Sequence, residues 1–171
     1  RPAAPPRPAA PVPKKLPLLQ GYLWKKSPNQ LRLRSYEKRY FVLREMELCW
    51  WKSKQDALSE DARGRGQLCK GFIDMTVGPV EVELMLGNES TFSLRPRSGT
   101  WAPGAIAKGD TGRAFTLDAT DSEHTRDVWV SAIREHIQRA KQGAPKSVGS
   151  VVADSSFYSA VGLPFPSGCS Q

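Results

Sequence analysis

The chain has 171 residues and a formal net charge of +8 at pH 7, a length that suits one domain of ordinary size with flanking segments. No run of 18 apolar residues occurs, which excludes a helix that spans a bilayer. The three cysteines are odd in number and form no Cys-x-x-Cys pair, so a reducing cytosol is the expected compartment.

Residues 1–17 contain seven prolines, which exclude a helix or a sheet and favour an extended polyproline II segment. We therefore predict a disordered linker at this end of the chain. Pro2, Pro5 and Arg7 also fit the Pro-x-x-Pro-x-basic pattern of ligands for Src-homology-type domains. A protein partner of the proline-rich N-terminus stays open as the alternative to a plain linker.

Residues 18–141 are predicted to form one β-rich domain, because short runs of alternating apolar residues are separated by turn signals. The stretches 53–66 and 97–112 are predicted as loops. Strands are predicted at Leu18–Lys26, Tyr36–Arg44 and Met46–Lys52, and then near 67–75, 80–86, 91–95 and 113–119.

An amphipathic helix is predicted at the end of this domain. Thr120 and Glu123 have the spacing of a capping box, and apolar residues then recur every three or four positions from Trp129 onwards. Gly143 is typical of the residue after a helix. Residues 142–171 are rich in Ser, Gly and Pro, and we predict a tail that is able to pack back on the domain through its apolar residues.

The positive charge is concentrated in residues 14–44. This segment holds nine basic side chains and a single acid, Glu37, so it alone accounts for the net charge of +8. A concentrated cationic patch attracts a polyanion, which is either an anionic membrane surface or a nucleic acid. A solvated basic face without any partner is the third interpretation.

The order of seven short strands and one C-terminal helix resembles the pleckstrin homology domain family. Residues 21–26 (GYLWKK) resemble the family's first strand, residues 38–43 (KRYFVL) its second strand, and residues 129–133 (WVSAI) the helix whose tryptophan closes the barrel. The resemblance implies a mainly β fold, a seven-stranded barrel of two nearly orthogonal antiparallel sheets capped by one C-terminal α-helix. It also implies a binding module whose ligand must be argued from its site.

In lipid-binding members of that family, one base ends the first strand, a basic-x-Arg triplet lies on the second, and another base begins the fourth. Lys25, Arg39 and Lys70 match these positions, while Trp50 stands where a third-strand tyrosine is usual. Glu37 replaces the first base of the triplet, and its carboxylate would repel a second ring phosphate. The resemblance therefore implies a reduced cradle that holds one compact phosphate group.

Basic side chains on the predicted first, second and fourth strands and on the loop after the first strand are the expected lipid phosphate-binding residues: Lys25, Lys26, Arg32, Arg34, Lys38, Arg39 and Lys70. Leu31, Leu33 and Trp101 are expected to insert into the membrane, because leucine and tryptophan favour its interface. The alternatives are that one leucine belongs to the core and that Trp101 packs within its own loop.

No catalytic pattern is found. His124 and His136 have no cysteine ligand pair or His-Glu-x-x-His spacing, and no Gly-x-Ser-x-Gly elbow occurs, so no catalytic site, cofactor or metal is expected. Residues 63–66 (RGRG) are too short for an arginine-glycine tract, and no ribonucleoprotein aromatic motif is present. We therefore expect no nucleic-acid partner.

We expect a non-enzymatic, monomeric protein that docks peripherally on anionic phospholipid membranes at their cytosolic face. Phosphatidic acid is the first choice of lipid, because its phosphomonoester is compact and lies close to the acyl chains. Phosphoinositide binding of low specificity and a protein- or peptide-binding scaffold are the alternatives. Residues 25–43 resemble, more narrowly, the acylated pleckstrin-homology-domain proteins of apicomplexan parasites, which implies a membrane-anchored signalling lipoprotein that senses lipid.

Overall fold

The structure, a computed structural model, describes residues 15–27, 35–59, 65–107 and 114–143. No helix in these ranges is long and apolar enough to cross a membrane. In chain order the elements are β1 Leu19–Lys26, β2 Tyr36–Arg44, β3 Glu47–Trp51, α1 Lys54–Ser59, β4 Gly71–Asp74, β5 Val80–Leu84, β6 Thr91–Pro96, β7 Phe115–Asp118 and α2 Arg126–Lys141.

The seven strands form one hydrogen-bonded antiparallel sheet in the order β4-β3-β2-β1-β7-β6-β5. Its two halves meet at β1, which pairs with β2 along its whole length but with β7 only through Trp24 and Lys25. This arrangement confirms the mainly β fold with a C-terminal helix. The two sheets expected from the sequence are joined through the short β1–β7 junction.

The main core contains buried side chains from both halves of the sheet and from α2. Trp129, Ile133 and Ile137 are spaced by four residues, so they lie on one face of α2, and all three are buried in this core. A buried tryptophan removes roughly 150–250 Å² of surface from water, which makes Trp129 a major contributor to the stability of the fold. The predicted amphipathic helix is therefore confirmed.

The predicted start of this helix is wrong. The sequence suggests a capping box at Thr120 and Glu123, but α2 begins at Arg126 with Thr125 as its N-cap. Thr120 is engaged elsewhere, since its backbone N–H and its hydroxyl both donate to Oδ1 of Asp118 at 2.7 Å. This local turn after β7 satisfies Thr120 before the helix starts.

The charged stretch after β3, predicted as a flexible loop, contains the short helix α1, and Arg65 beyond it is bonded to the sheet. Its Nη2 lies 2.8 Å from Oε1 of Glu47 and 3.1 Å from Oδ2 of Asp74. Its guanidinium lies 3.4 Å from the ring centre of Phe72. Asp74 is almost fully buried, and removing Arg65 would leave its charge without that partner.

A second apolar cluster is separate from the main core and consists of Tyr40, Cys49, Trp51 and Ala57 of α1. Side chains alternate along a strand, so Tyr40 and Trp51 point away from the core residues beside them. Burial raises the pKa of Tyr40, whose hydroxyl has no hydrogen-bond partner among the described residues. Cys49 is fully buried in this cluster, where a free thiol packs as a small apolar side chain.

The side chain of His136 in α2 is buried and holds two other segments in place. Its Nδ1 accepts the backbone N–H of Met46, in the turn between β2 and β3, at 2.9 Å. Its Nε2 lies 2.8 Å from the carbonyl oxygen of Pro17, ahead of β1. Because Nδ1 is an acceptor, the proton sits on Nε2 and the ring is neutral. Burial lowers the pKa of His136.

We predict that the free energy of unfolding falls as the pH drops below about 6.5, the ordinary histidine pKa. Because the folded-state pKa of His136 is lowered, the unfolded chain binds the extra proton, and the stabilisation present above this pH is lost on acidification. Thermal unfolding measured between pH 5 and 7.5 checks this expectation.

His136→Gln should lower stability at pH 7.5 by about 1 to 3 kcal/mol, because buried hydrogen-bonding groups lose their partners. It should also flatten the decline of Tm with falling pH. His124→Gln, which replaces the only other histidine in the sequence, is the matched control. Equal flattening in the two variants would show that His136 does not cause the pH dependence.

Candidate functional site

The described basic residues of the predicted site lie at one end of the β1–β4 half of the sheet. Antiparallel pairing brings together the end of β1, the start of β2, the end of β3 and the start of β4. We call this region the basic end. The predicted site residues found there are Lys25, Lys26, Lys38, Arg39 and Lys70.

The pleat of β1 and β2 divides these bases between two faces. In the β1–β2 ladder, Lys25 lies opposite Glu37, and Arg39 lies opposite the core residue Leu23. We call Lys25, Glu37 and Arg39 the inner-face group, because by alternation they share the face of Leu23 and Phe41. Bases that are adjacent in the sequence therefore point to different faces, and they do not all belong to the single cradle that the sequence predicts.

Lys25 is a nearly buried charge, with 7% of its surface exposed. Its Nζ lies 4.8 Å from the ring centre of Phe115 in β7 and 5.6 Å from that of Trp50 in β3. Aromatic faces attract a cation at these distances, which partly compensates for the loss of water. Trp50, which replaces the expected third-strand tyrosine, is itself a core residue and forms a wall beside this lysine.

Glu37 and Arg39 form an ion pair within the inner-face group. Nη2 of Arg39 lies 2.7 Å from Oε2 of Glu37, and each side chain is about one quarter exposed. Nη1 of Arg39 also donates to the carbonyl oxygen of Lys38 at 3.0 Å. With Lys25, Arg39 and Glu37 all charged, the group carries one net positive charge, so its attraction for a phosphate is strongly reduced.

The outer-face group consists of Trp24, Lys26 and Lys38, which point away from the main core. Nζ of Lys38 lies 5.6 Å from the ring centre of Trp24 and 5.4 Å from that of Tyr22. Lys26 and Lys38 are exposed, and Trp24 is half-buried. This arrangement presents two cations beside an aromatic surface that water still reaches.

Among the remaining predicted bases, the structure describes Lys70 alone, which lies outside the strands. Lys70 is exposed just before β4, where its backbone N–H donates to the carbonyl oxygen of Trp50 at 2.8 Å. This bond fixes the backbone of Lys70 at the basic end. Four predicted residues lie outside the described ranges, namely the bases Arg32 and Arg34 and the leucines Leu31 and Leu33.

The insertion role expected for Trp101 is not compatible with its position. Only 4% of its surface is exposed, and it belongs to the main core together with Ala105 and Ile106. Ile106 forms a β-bridge with Ile73 of β4, which fixes the loop against the sheet. The predicted insertion of Trp101 is therefore wrong, because a buried indole cannot reach a bilayer.

Trp24 is a surface aromatic residue that the sequence-based prediction does not include in the site. The alternation of apolar residues in β1 indicates this surface position, because a core position for Leu23 places Trp24 on the other face. The same alternation separates Lys25 from Lys26.

The family model of the PH domain matches residues 17–138. The solution structure of the PH domain of human oxysterol binding protein-related protein 11 is 17% identical, covers 82% of this chain and 98% of that chain, and has a TM-score of 0.51. The PH domain of human TBC1 domain family member 2 protein is also 17% identical, covering 86% and 99% respectively with a TM-score of 0.49. At this identity the first likeness shows the fold alone. No individual curated protein matches the sequence.

We predict that Glu37→Gln strengthens binding to vesicles that contain phosphatidic acid, because it removes the carboxylate bound to Arg39. An ion pair of this exposure is worth about 0.2 to 1 kcal/mol, so the gain should be up to about fivefold. Vesicle co-sedimentation at fixed salt measures it. Glu89→Gln makes the same change of net charge in the exposed β5–β6 loop, and an equal gain there would show that only net charge matters.

Proposed function

Because the chain belongs to the pleckstrin homology domain family, we propose that it docks on anionic membranes through its basic end, with phosphatidic acid as its preferred lipid. PH domains are membrane-lipid or protein-binding modules, and no enzymatic family is indicated for this chain. Residues 17–138 span both the barrel and nearly all of α2, so the proposal concerns the described fold as a whole.

The ion pair between Glu37 and Arg39 is the observation that carries the choice of lipid. A headgroup with several phosphates would place one of them near the Glu37 carboxylate, where like charges repel. A single phosphomonoester requires less space and only one or two cationic partners. Its second pKa lies near 6, so at neutral pH it carries more negative charge than a phosphodiester lipid.

The outer-face group supports peripheral attachment. Lys26 and Lys38 are exposed next to Trp24, and tryptophan is a side chain that favours the headgroup region of a bilayer. Each basic residue close to an anionic leaflet contributes about 1 kcal/mol. Together with Lys70, Arg32 and Arg34, these lysines would contribute about 5 kcal/mol, equivalent to a dissociation constant on the order of 10⁻⁴ M.

Attachment of this strength needs a second signal for stable residence at the cytosolic face of a membrane. Insertion of Leu31 and Leu33 beside Arg32 and Arg34 is one such signal. A covalent lipid, as the acylated relatives that residues 25–43 resemble would carry, is the other. Phosphoinositide binding of low specificity and a protein-binding role are the alternative functions of the basic end.

We expect vesicles with phosphatidic acid to bind the protein more tightly than phosphoinositide vesicles of equal total charge, and neutral phosphatidylcholine vesicles to bind it negligibly. Lys38→Ala should weaken binding by about fivefold, the loss of about 1 kcal/mol for one base near the leaflet. Arg139→Ala removes the same charge from α2 and should change little. Tighter binding to duplex or single-stranded nucleic acid at physiological salt would disprove the membrane proposal.

The double substitution Leu31→Ser and Leu33→Ser tests insertion while leaving every basic residue in place. If both leucines enter the bilayer, each contributes up to about 1.5 to 3 kcal/mol, so vesicle binding should collapse even at low salt with Tm unchanged. A lower Tm with retained vesicle binding would instead assign a leucine to the core. If neither quantity changes, insertion by these residues is refuted.

A further inference from the structure

The free edge of β5 has backbone groups available for another strand. In the part of the chain that the structure describes, β5 pairs only with β6 and ends the sheet. Val80 lies opposite Pro96, which has no N–H, and the N–H of Arg97 donates to the carbonyl oxygen of Pro79 at 3.0 Å. In an antiparallel ladder bonded and non-bonded pairs alternate, so Val80 is in a non-bonded pair.

The same alternation determines which backbone groups point outward further along β5. Val82 lies opposite Leu94, again in a non-bonded pair, so the N–H and C=O groups of Val80 and Val82 point away from β6. Unpaired backbone groups along a sheet edge form a template for an added strand. The edge therefore offers a regular set of donors and acceptors, repeated every two residues.

A groove of about 600 Å³ runs between this edge and α2. Val80, Val82 and Ile137 give it an apolar lining, and Ile137 and Val80 are themselves core residues. Arg134 and Lys141 line it from the helix side. These two bases are seven residues apart, or about 10 Å along the helix axis, so they lie on the same side of α2.

The charged side chains of the groove that make no ion pair with another described residue are basic. On the strand side, Glu81 and Glu83 are each 3.6 Å from the guanidinium of Arg95, and Glu81 also bonds Nε of Arg97 at 2.8 Å. On the helix side, Arg134 and Lys141 make no ion pair with any described residue. An extended segment lying here would therefore find its acidic side chains complemented by α2.

We propose that this groove binds an extended acidic peptide segment of a partner protein, added to β5 as an eighth strand. Its backbone bonds the outward N–H and C=O groups of Val80 and Val82. Its side chains facing α2 follow the pattern acid-x-apolar-x-acid, because residues two apart share a face at about 6.6 Å spacing. The apolar side chain sits on Val82 and Ile137, and the two acids reach Arg134 and Lys141.

This site shares no residue with the basic end, so the inference goes beyond membrane docking and does not depend on it. Peptide capture by strand addition draws affinity from main-chain hydrogen bonds and specificity from alternate side chains. A protein with both surfaces could hold an acidic partner segment while attached to an anionic membrane. The acidic segment and the membrane would not compete, because the basic residues involved are different.

The test uses the full chain and a fluorescent peptide, Ser-Glu-Thr-Val-Thr-Glu-Ser, with blocked ends. We expect saturable binding in fluorescence polarisation, with NMR shifts of the Val80 and Val82 amides. Replacing both glutamates of the peptide with lysine should weaken binding at least tenfold. N-methyl groups on alternate peptide residues should abolish binding in one register and spare it in the other, as a paired strand requires.

On the protein, Arg134→Glu with Lys141→Glu should weaken peptide binding at least tenfold and leave binding to phosphatidic acid vesicles within twofold. Lys52→Glu with Lys54→Glu, two exposed lysines beyond β3, makes the same change of charge as a control. The proposal would be overturned if the two double variants lost peptide affinity equally, or if N-methylation weakened peptide binding equally in both registers. It would also be overturned if no peptide bound at millimolar concentration. A dimer in sedimentation that protects the Val80 and Val82 amides would assign the edge to a second copy and would also overturn it.

Discussion

The pleat of the β1–β2 ladder is the constraint on which the proposed chemistry of this protein depends. Because successive side chains of a strand point to opposite faces, the adjacent bases Lys25 and Lys26 face different surroundings. Lys25 is buried against aromatic rings, whereas Lys26 is exposed. A run of basic residues that looks uniform in the sequence is therefore two functional surfaces in the folded protein.

We propose that one surface attracts the membrane and that the other distinguishes between lipid headgroups. The outer-face group supplies attraction that depends on the charge density of the leaflet and weakens with salt. The inner-face group supplies discrimination, because Glu37 pairs with Arg39 at 2.7 Å and leaves little net charge for a second phosphate. In this proposal most of the affinity comes from the outer-face group, whereas the choice between headgroups comes from the inner-face group.

The rest of the barrel fixes the positions of these groups. Trp50 packs beside Lys25, and it leaves so little room at Gly71, opposite it on β4, that even an added Cβ would meet its indole. Arg65 ties the segment before β4 to Glu47 and Asp74. Arg65 acts at the opposite end of β3 and β4, so the basic end itself is built on paired strands, which limits the cost of ordering it on binding.

Much of the fold could be predicted from the sequence, because the strand and helix periodicities and the motifs around Trp24, Tyr40 and Trp129 are strong local signals. The features that the sequence did not predict depend on interactions between residues that are distant along the chain. Arg65 bonds Glu47 and Asp74, which are 18 and 9 residues away along the chain, and Trp101 is buried because its loop packs against the core. The groove beside β5 also arises only when β5 ends the sheet and α2 packs next to it.

Amide hydrogen exchange of the full chain, measured with and without vesicles of phosphatidic acid in phosphatidylcholine, tests the central claim most directly. We expect slower exchange on vesicle binding to be confined to the basic end, at residues 24–26 and 38–39, and to the segment of the chain between them. The amides of β5 should exchange at unchanged rates. Protection centred on β5 or α2, or no protection at the basic end despite binding, would contradict it.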